Sequence, residues 1–281
     1  MKLAPVLAFL FTLLAFVSTF FHTSETSGGF IDNEYGLNYQ TISYVSAYGA
    51  AFSGYFLVCR EDVRLFATSY TKLLSLIMMF FMYLNFVIIL FAGGRGGFIA
   101  FGVQVLLFFI VRFKYMTTNQ KVFTAFGAIV LLFLIVPITI SFVEHSTFEG
   151  SGFGRILDFI YKNEQSGREN IRALAINSFL EKPILGHGIG SVFYEIGHYS
   201  HNSLLDVMVE TGMIGLFVYV AILYMAFARM VRCVRHNRKE YLWLILFLGS
   251  LSMSLSSGYY LAQLPLWWSI AFIFTRQHQS A

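Results

Sequence analysis

Charge is what this sequence has least of. Asp, Glu, Lys and Arg supply 12% of its 281 residues, where a soluble globular domain carries about 25%. That shortage excludes a soluble domain, whose surface needs more charge. Proline is also scarce, at four residues. This excludes a proline-rich linker protein and leaves long helices uninterrupted. The two cysteines, Cys59 and Cys233, are too few for a disulfide-stapled scaffold. Both lie beside Arg-rich segments, which argues against a structural disulfide. No internal repeat and no low-complexity tract interrupts the chain.

What is present is apolar: 57% hydrophobic residues, 18% aromatic, with 32 phenylalanines. Apolar runs occupy about 3–21, 39–58, 73–92, 98–111, 122–143, 203–228, 241–258 and 264–275. Crossing a bilayer takes about 20 helical residues, so 98–111 and 264–275 are short, and each either borrows flanking residues, tilts little or re-enters. Lys2 is the sole basic residue before the first run, which therefore reads as a membrane helix rather than a cleaved signal. The predicted fold is all-α: a polytopic membrane protein of about eight transmembrane helices with one large extracytoplasmic loop, itself containing an amphipathic helix. The predicted divisions are membrane helices in 1–143, the loop in 144–202, and membrane helices again in 203–281. The Gly/Ser-rich pieces at 24–29 and 150–154 read as loop.

Charge position orients the chain. The loops carrying Lys2, Arg60, Arg64, Lys72, Arg112, Lys114, Lys121, the Arg229–Lys239 cluster and Arg276 hold 13 of the 19 basic residues. By the positive-inside rule these loops and both termini are cytoplasmic, and 144–202 is outside. The same topology brings Arg95, Arg168, Arg172 and His201 to one membrane face. Arg95 sits in Gly-Gly-Arg-Gly-Gly, where an unpaired cation near hydrocarbon needs a cavity or a partner. A tight turn with a snorkelling Arg95 is the plain alternative.

The chemistry concentrates in 166–215. Ser166 and Glu169 form a capping-box pattern, followed by a helical stripe of Ile171, Leu174, Ala175, Ser178 and Phe179. Pro183 and Gly186 end it. Arg168 and Arg172, four apart, repel each other and oppose the helix dipole. A bridging anion of phosphate size would relieve both. Gly186, Gly188 and Gly190 alternate and permit left-handed or closely apposed backbone. His198, His201 and Asn202 then precede Ser203, the expected cap of the next apolar helix, with Asp206 in its first turn. His201 would stand at that helix's mouth. Asp206 and Glu210, four apart, either pair with the arginines, line an acceptor cavity or serve packing.

The ordered set Gly167-Arg168, Pro183, Gly186-x-Gly188-x-Gly190, His201-Asn202 and Glu210-x-Gly212, with Gly94-Arg95-Gly96 upstream, resembles the O-antigen ligase/polymerase family. These are membrane glycosyltransferases of bacterial surface-polysaccharide assembly. The resembling domain would run over about 75–225. The family usually has more spans, so eight fits a short member or a chain lacking amino-terminal helices.

The resemblance implies a metal-independent, inverting transfer outside the bacterial cytoplasmic (inner) membrane, without a cofactor. A glycan would move from a polyprenyl-diphosphate carrier to a hydroxyl of a glycan or lipid-linked acceptor. It assigns catalysis to Arg95, Arg168 and His201, and substrate binding to Arg172, Gly186, Gly188, Asn202 and Glu210. Other polysaccharide-assembly proteins are possible partners, and nucleic acid is not. The pattern does not separate ligase from polymerase. A zinc site at His187, His198 and His201 lacks a supporting ligand motif, and Ser53-Gly54 does not make a protease. A transporter or flippase of lipid-linked sugars would place charges deep in several helices. A non-catalytic assembly partner is the remaining alternative.

Overall fold

The computed structural model describes residues 3–20, 23–25, 31–33, 39–59, 68–92, 94–113, 118 and 168–275. Helices dominate them: α1 (Ala4–Phe20), α2 (Tyr39–Cys59), α3 (Thr68–Ala92), α4 (Arg95–Phe113), α5 (Arg168–Glu181), α6 (Val192–Glu195), α7 (Ser203–His236), α8 (Tyr241–Ser257) and α9 (Leu264–Thr275). The apolar run at 122–143 and the whole of 144–167, with Ser166 and the Gly/Ser-rich piece at 150–154, lie outside the described residues. Among the described residues, three helices are long and apolar enough to cross a membrane, over Gln40–Cys59, Lys72–Leu90 and Ser203–His236. Ala4–Thr19, Arg95–Val111 and Leu264–Thr275 are shorter apolar helices.

Two expectations change. Of the 24–29 stretch that reads as loop, residues 24 and 25 are strand: β1 (Thr23–Glu25) and β2 (Ile31–Asn33) pair antiparallel, with Ser24 opposite Asp32, while 26–29 lie outside the described residues. Pairing satisfies backbone groups of these two short polar strands. The short run at 98–111 gains residues at both ends, because Arg95, Gly96 and Gly97 are already helical. Arg95 thus opens a helix rather than sitting in a turn.

The chain packs as two units, Lys2–Gly94 with Gln104–Lys162, and Arg95–Val103 with Asn163–Ala281. In the first, α2 packs against both α1 and α3. Small buried residues, among them Ser43, Ser46, Ala47, Ala50 and Ala51, allow the close helix approach that membrane bundles use. Ala15, Ile42, Ile88 and Ala92 form a core cluster there. Asn85, fully buried, donates through Nδ2 to Thr12 Oγ1 and Phe81 O, each at 2.8 Å. At the end of α3 the Gly94 amide donates to Ser43 Oγ at 3.0 Å.

In the second unit α7, 34 residues long, packs against α5, α8 and α9. Beyond its kink at Gly212, residues 213–236 extend about 36 Å at 1.5 Å per residue. That length alone exceeds a hydrocarbon core of about 30 Å.

Candidate functional site

The site begins with a break in a helix. At Gly212 φ is 63° and ψ −163°, a combination open essentially to glycine alone. A break there parts the Met213 and Ile214 amides from the Val209 and Glu210 carbonyls one turn earlier. The segment after α5 supplies new partners. His187 N–H donates to Val209 O at 2.9 Å and Gly188 N–H to Glu210 O at 2.8 Å. In return Met213 N–H donates to Pro183 O at 2.8 Å and Ile214 N–H to Ile184 O at 3.4 Å. The two backbones lie so close that a Cβ on Gly186 would land on Glu210 and Thr211. One on Gly212 would land on Ile184 and Leu185. Gly186 thus joins two backbones. Gly188 and Gly190 differ: at φ 103° and 81° they need glycine for their dihedral, and a Cβ there meets open space.

This interlock sits beside a small apolar core. Ala175, Val192 and Val209 are fully buried, with Phe179, Ile196, Tyr199, Leu205 and Tyr259 packed around them. The stripe on α5 is narrower than its periodicity predicts, because Ala175 and Ser178 are buried while Leu174 faces out.

The mouth of α7 is built from polar side chains. Its cap is Asn202 rather than Ser203. The Asn202 side chain accepts from the amides of Leu204 at 3.0 Å and Leu205 at 3.3 Å. Asn202 has the extended backbone that a cap requires, whereas Ser203 is already helical and spends its hydroxyl on Ser254 Oγ at 3.2 Å. Asp206 is fully buried and accepts the Ser200 amide through Oδ1 at 2.7 Å. Ser200 Oγ donates to Asn202 O at 2.9 Å. Between these anchors His201 takes φ 59°, the one non-glycine residue with positive φ among the described residues. Such a backbone persists only where its surroundings enforce it. Its ring stacks at 5.0 Å on His198 and meets the Tyr199 ring edge-on at 4.5 Å.

Arg168 stands at the N-terminal end of α5, its Nη1 donating to Ser256 O at 3.2 Å. Ser256 lies one turn-half beyond Ser254, the partner of Ser203. Arg168 and the His201–Ser203 mouth are therefore tied to the same end of α8. Arg172 Nε is buried and makes no hydrogen bond among the described residues. A buried guanidinium nitrogen favours an acceptor strongly. Arg95, half-buried at the start of α4, belongs to the same unit as these residues.

Glu210 is 1% exposed. Its carboxylate accepts from Tyr259 Oη at 2.9 Å and from Tyr260 Oη at 2.7 Å. Burial first, and then these bonds to Glu210, raise both phenols above their usual range, so they remain protonated donors. Trp267 Nε1 donates to Tyr260 O at 2.8 Å and extends the tie to α9. His187 is engaged by other groups, its Nε2 donating to Ser178 O at 2.8 Å and its Nδ1 3.3 Å from Glu195.

Sequence reasoning missed Tyr259, Tyr260 and Ser256 as members of this neighbourhood. A carboxylate on an apolar helix requires a partner, and Tyr259-Tyr260, just after an apolar run, was the available signal.

The sequence from 77 to 220, just over half of the chain, matches the family model described as O-antigen ligase. The chain belongs to the O-antigen ligase family. A comparison with curated proteins gives no match. Membership and the apolar helices together make it a helical membrane protein of a glycosyltransferase family. The match takes in Arg95, Arg168, Arg172, the glycine segment, the α7 mouth and the Gly212 break.

Proposed function

We propose that this protein transfers a glycan from a polyprenyl-diphosphate carrier to a sugar hydroxyl, at the extracytoplasmic face of a bacterial cytoplasmic membrane. In this reading 1–143 and 203–281 supply membrane helices, about eight in all, 144–202 is the catalytic loop, and both termini are cytoplasmic. Acting on glycan or lipid-linked acceptors, the enzyme is a ligase or a polymerase of surface polysaccharide. The observation that carries the reading is the shared anchorage of Arg168 and the histidine mouth on α8, through Ser256 and Ser254.

The chemistry follows from the residue types. The bond from the anomeric carbon to the diphosphate breaks, and one from the acceptor oxygen to that carbon forms with inversion. The diphosphate needs no proton as it leaves, but its charge needs neutralising. Arg95, Arg168 and Arg172 suit that role, because guanidiniums stay ionised and grip phosphate oxygens in pairs. The buried Nε of Arg172, without a hydrogen-bond partner among the described residues, supports an anion there. The acceptor proton passes to a ring nitrogen of His201, whose kind titrates near neutral pH. Asn202 and Glu210 shape the acceptor side, Glu210 through the tyrosines it holds. Gly186 and Gly188 keep the loop backbone close to α7. No metal or cofactor is required.

The test separates donor from acceptor roles in purified, vesicle-reconstituted protein treated with chelator. Arg168→Lys keeps charge but loses the planar fork, and turnover should fall sharply. Arg168→Ala should also weaken donor binding. His201→Ala should leave donor binding near wild type while transfer falls about 10²–10⁴-fold. Near-normal transfer by His201→Ala removes the base assignment. Activity restored only by a divalent ion removes metal independence.

A further inference from the structure

Four large apolar side chains lie outside every helix long enough to cross a membrane, and yet face outward. Leu180, Ile184, Leu185 and Ile189 are each at least 63% exposed. They span the end of α5 and the segment that interlocks with the Gly212 break. The backbone bonds from Pro183 to Met213 and from Ile184 to Ile214 fix that segment beside α7. On α7 itself, Met213, Ile214 and Phe217 are also exposed, Phe217 by 76%. In a helix of this length and composition such a face meets lipid. The outward apolar surface of the loop is therefore continuous with the lipid-facing surface of the span. A loop pinned in water would gain nothing from four such residues in so short a stretch. A segment lying in the headgroup and upper acyl region would bury all four.

We propose that residues 180–189 form a foot embedded in the bilayer leaflet at the Ser203 end of α7, with the acyl chains of that leaflet as its partner. Because α5 leads directly into the foot, immersion fixes the level of the loop against the membrane. Lipid-linked phosphates lie at that same level. Immersion itself rests on α7 crossing a bilayer; only the naming of the leaflet as the extracytoplasmic one rests on the function proposed above.

The test uses the full chain in phosphatidylethanolamine/phosphatidylglycerol vesicles, with Cys59 and Cys233 replaced by Ser and one nitroxide-labelled cysteine added. Labels at Leu185 and Ile189 are compared with a lipid reference at Phe217 and an aqueous reference at Glu195. Their ratio of oxygen to nickel-chelate collisions should match that at Phe217 and exceed that at Glu195. In the wild-type cysteine background, Ile189→Trp should add fluorescence that bromine on the lipid acyl chains quenches. This arm stands if the cysteine-free chain does not fold. A ratio equal to that at Glu195, with no bromine quenching, overturns the proposal. Shielding that appears only when polyprenyl phosphate is added makes the surface a groove for the carrier chain instead. Spin–spin broadening that disappears on dilution in lipid makes it a contact between copies, and either outcome also overturns it. No measurement involves transfer, so failure here leaves the roles of Arg168 and His201 standing.

Discussion

The segment joining α5 to α7 is held at its two ends by different means. At Pro183–Gly188 the hold is backbone on backbone, four hydrogen bonds across a helix break with no side-chain functional group taking part. At Ser200–Asp206 it is side chain on backbone, through a cap, a buried carboxylate and a hydroxyl. The first arrangement is rigid and tolerates only glycine at its two crossing points. The second gives a histidine an uncommon backbone beneath a ring packed on His198 and Tyr199, and each support can be altered separately. A site that must position one ring against a mobile substrate gains from having both: a fixed hinge and an adjustable mouth.

The largest effect should come from breaking the backbone end. Gly212→Ala places a Cβ on the Ile184 carbonyl and forces an L-residue into a conformation it avoids. Strain and lost backbone bonds together should cost at least about 3 kcal/mol. The folded yield and thermal midpoint in detergent should fall steeply, whereas Gly190→Ala, with open space around its Cβ, should lose much less. Equal losses in the two variants would mean that the interlock adds nothing beyond the dihedral.

That contrast marks where sequence could and could not be read. The helices announce themselves because apolar length is a local property: 264–275 is both the apolar run and the helix. The left-handed backbone at Gly186, Gly188 and Gly190 was likewise readable from glycine itself. What separates Gly186 from Gly188 was not, because it depends on a helix break more than twenty residues downstream. Asn202 and Ser203 are both good caps by type, and only the start of helical backbone chooses between them. Leu174 fits the stripe by period, yet the neighbours of α5 bury Ala175 and Ser178 and leave Leu174 exposed. The roles proposed for Arg95, Arg168 and His201 rest on chemistry that the sequence named and on anchors it did not show, such as Ser256.

A middle-sized effect belongs to the link from the interlocked turn to the α8–α9 connection. Glu210→Gln removes the charge that two phenols donate to and adds donors facing them. Losing two charge-assisted bonds should destabilise by about 2–4 kcal/mol. Adding Tyr260→Phe should recover part of that loss, since the buried hydroxyl then no longer lacks an acceptor. The pH dependence has a defined sign. The Tyr259 and Tyr260 pKa values are raised in the folded state, so their contribution is complete below the unfolded phenol pKa of about 10. It fades as pH rises beyond that point, because the unfolded chain ionises first. Thermal midpoints measured from pH 9 to 11 should fall more for wild type than for the Tyr259→Phe, Tyr260→Phe double variant. Parallel curves would show that the two phenols do not sense folding.

The smallest effect should come from the side-chain end, and it distinguishes a cap from a substrate contact. Asn202→Ala removes the acceptor for the Leu204 and Leu205 amides, which should cost about 1 kcal/mol. Asn202→Asp restores the acceptor and should restore stability. If Asn202 acts only by capping, transfer should follow stability: nearly normal in the Asp variant and reduced by less than about tenfold in the Ala variant, as 1.4 kcal/mol sets the scale of a tenfold change. If its amide also reaches the acceptor sugar, the Asp variant should be stable but slow, because a carboxylate cannot supply the lost N–H donors. The Ser200–Asp206 bond does not pass through Asn202, so the backbone at His201 should survive either change. A large loss of transfer in a fully stable Asp variant would therefore move Asn202 from the frame of the mouth into contact with substrate.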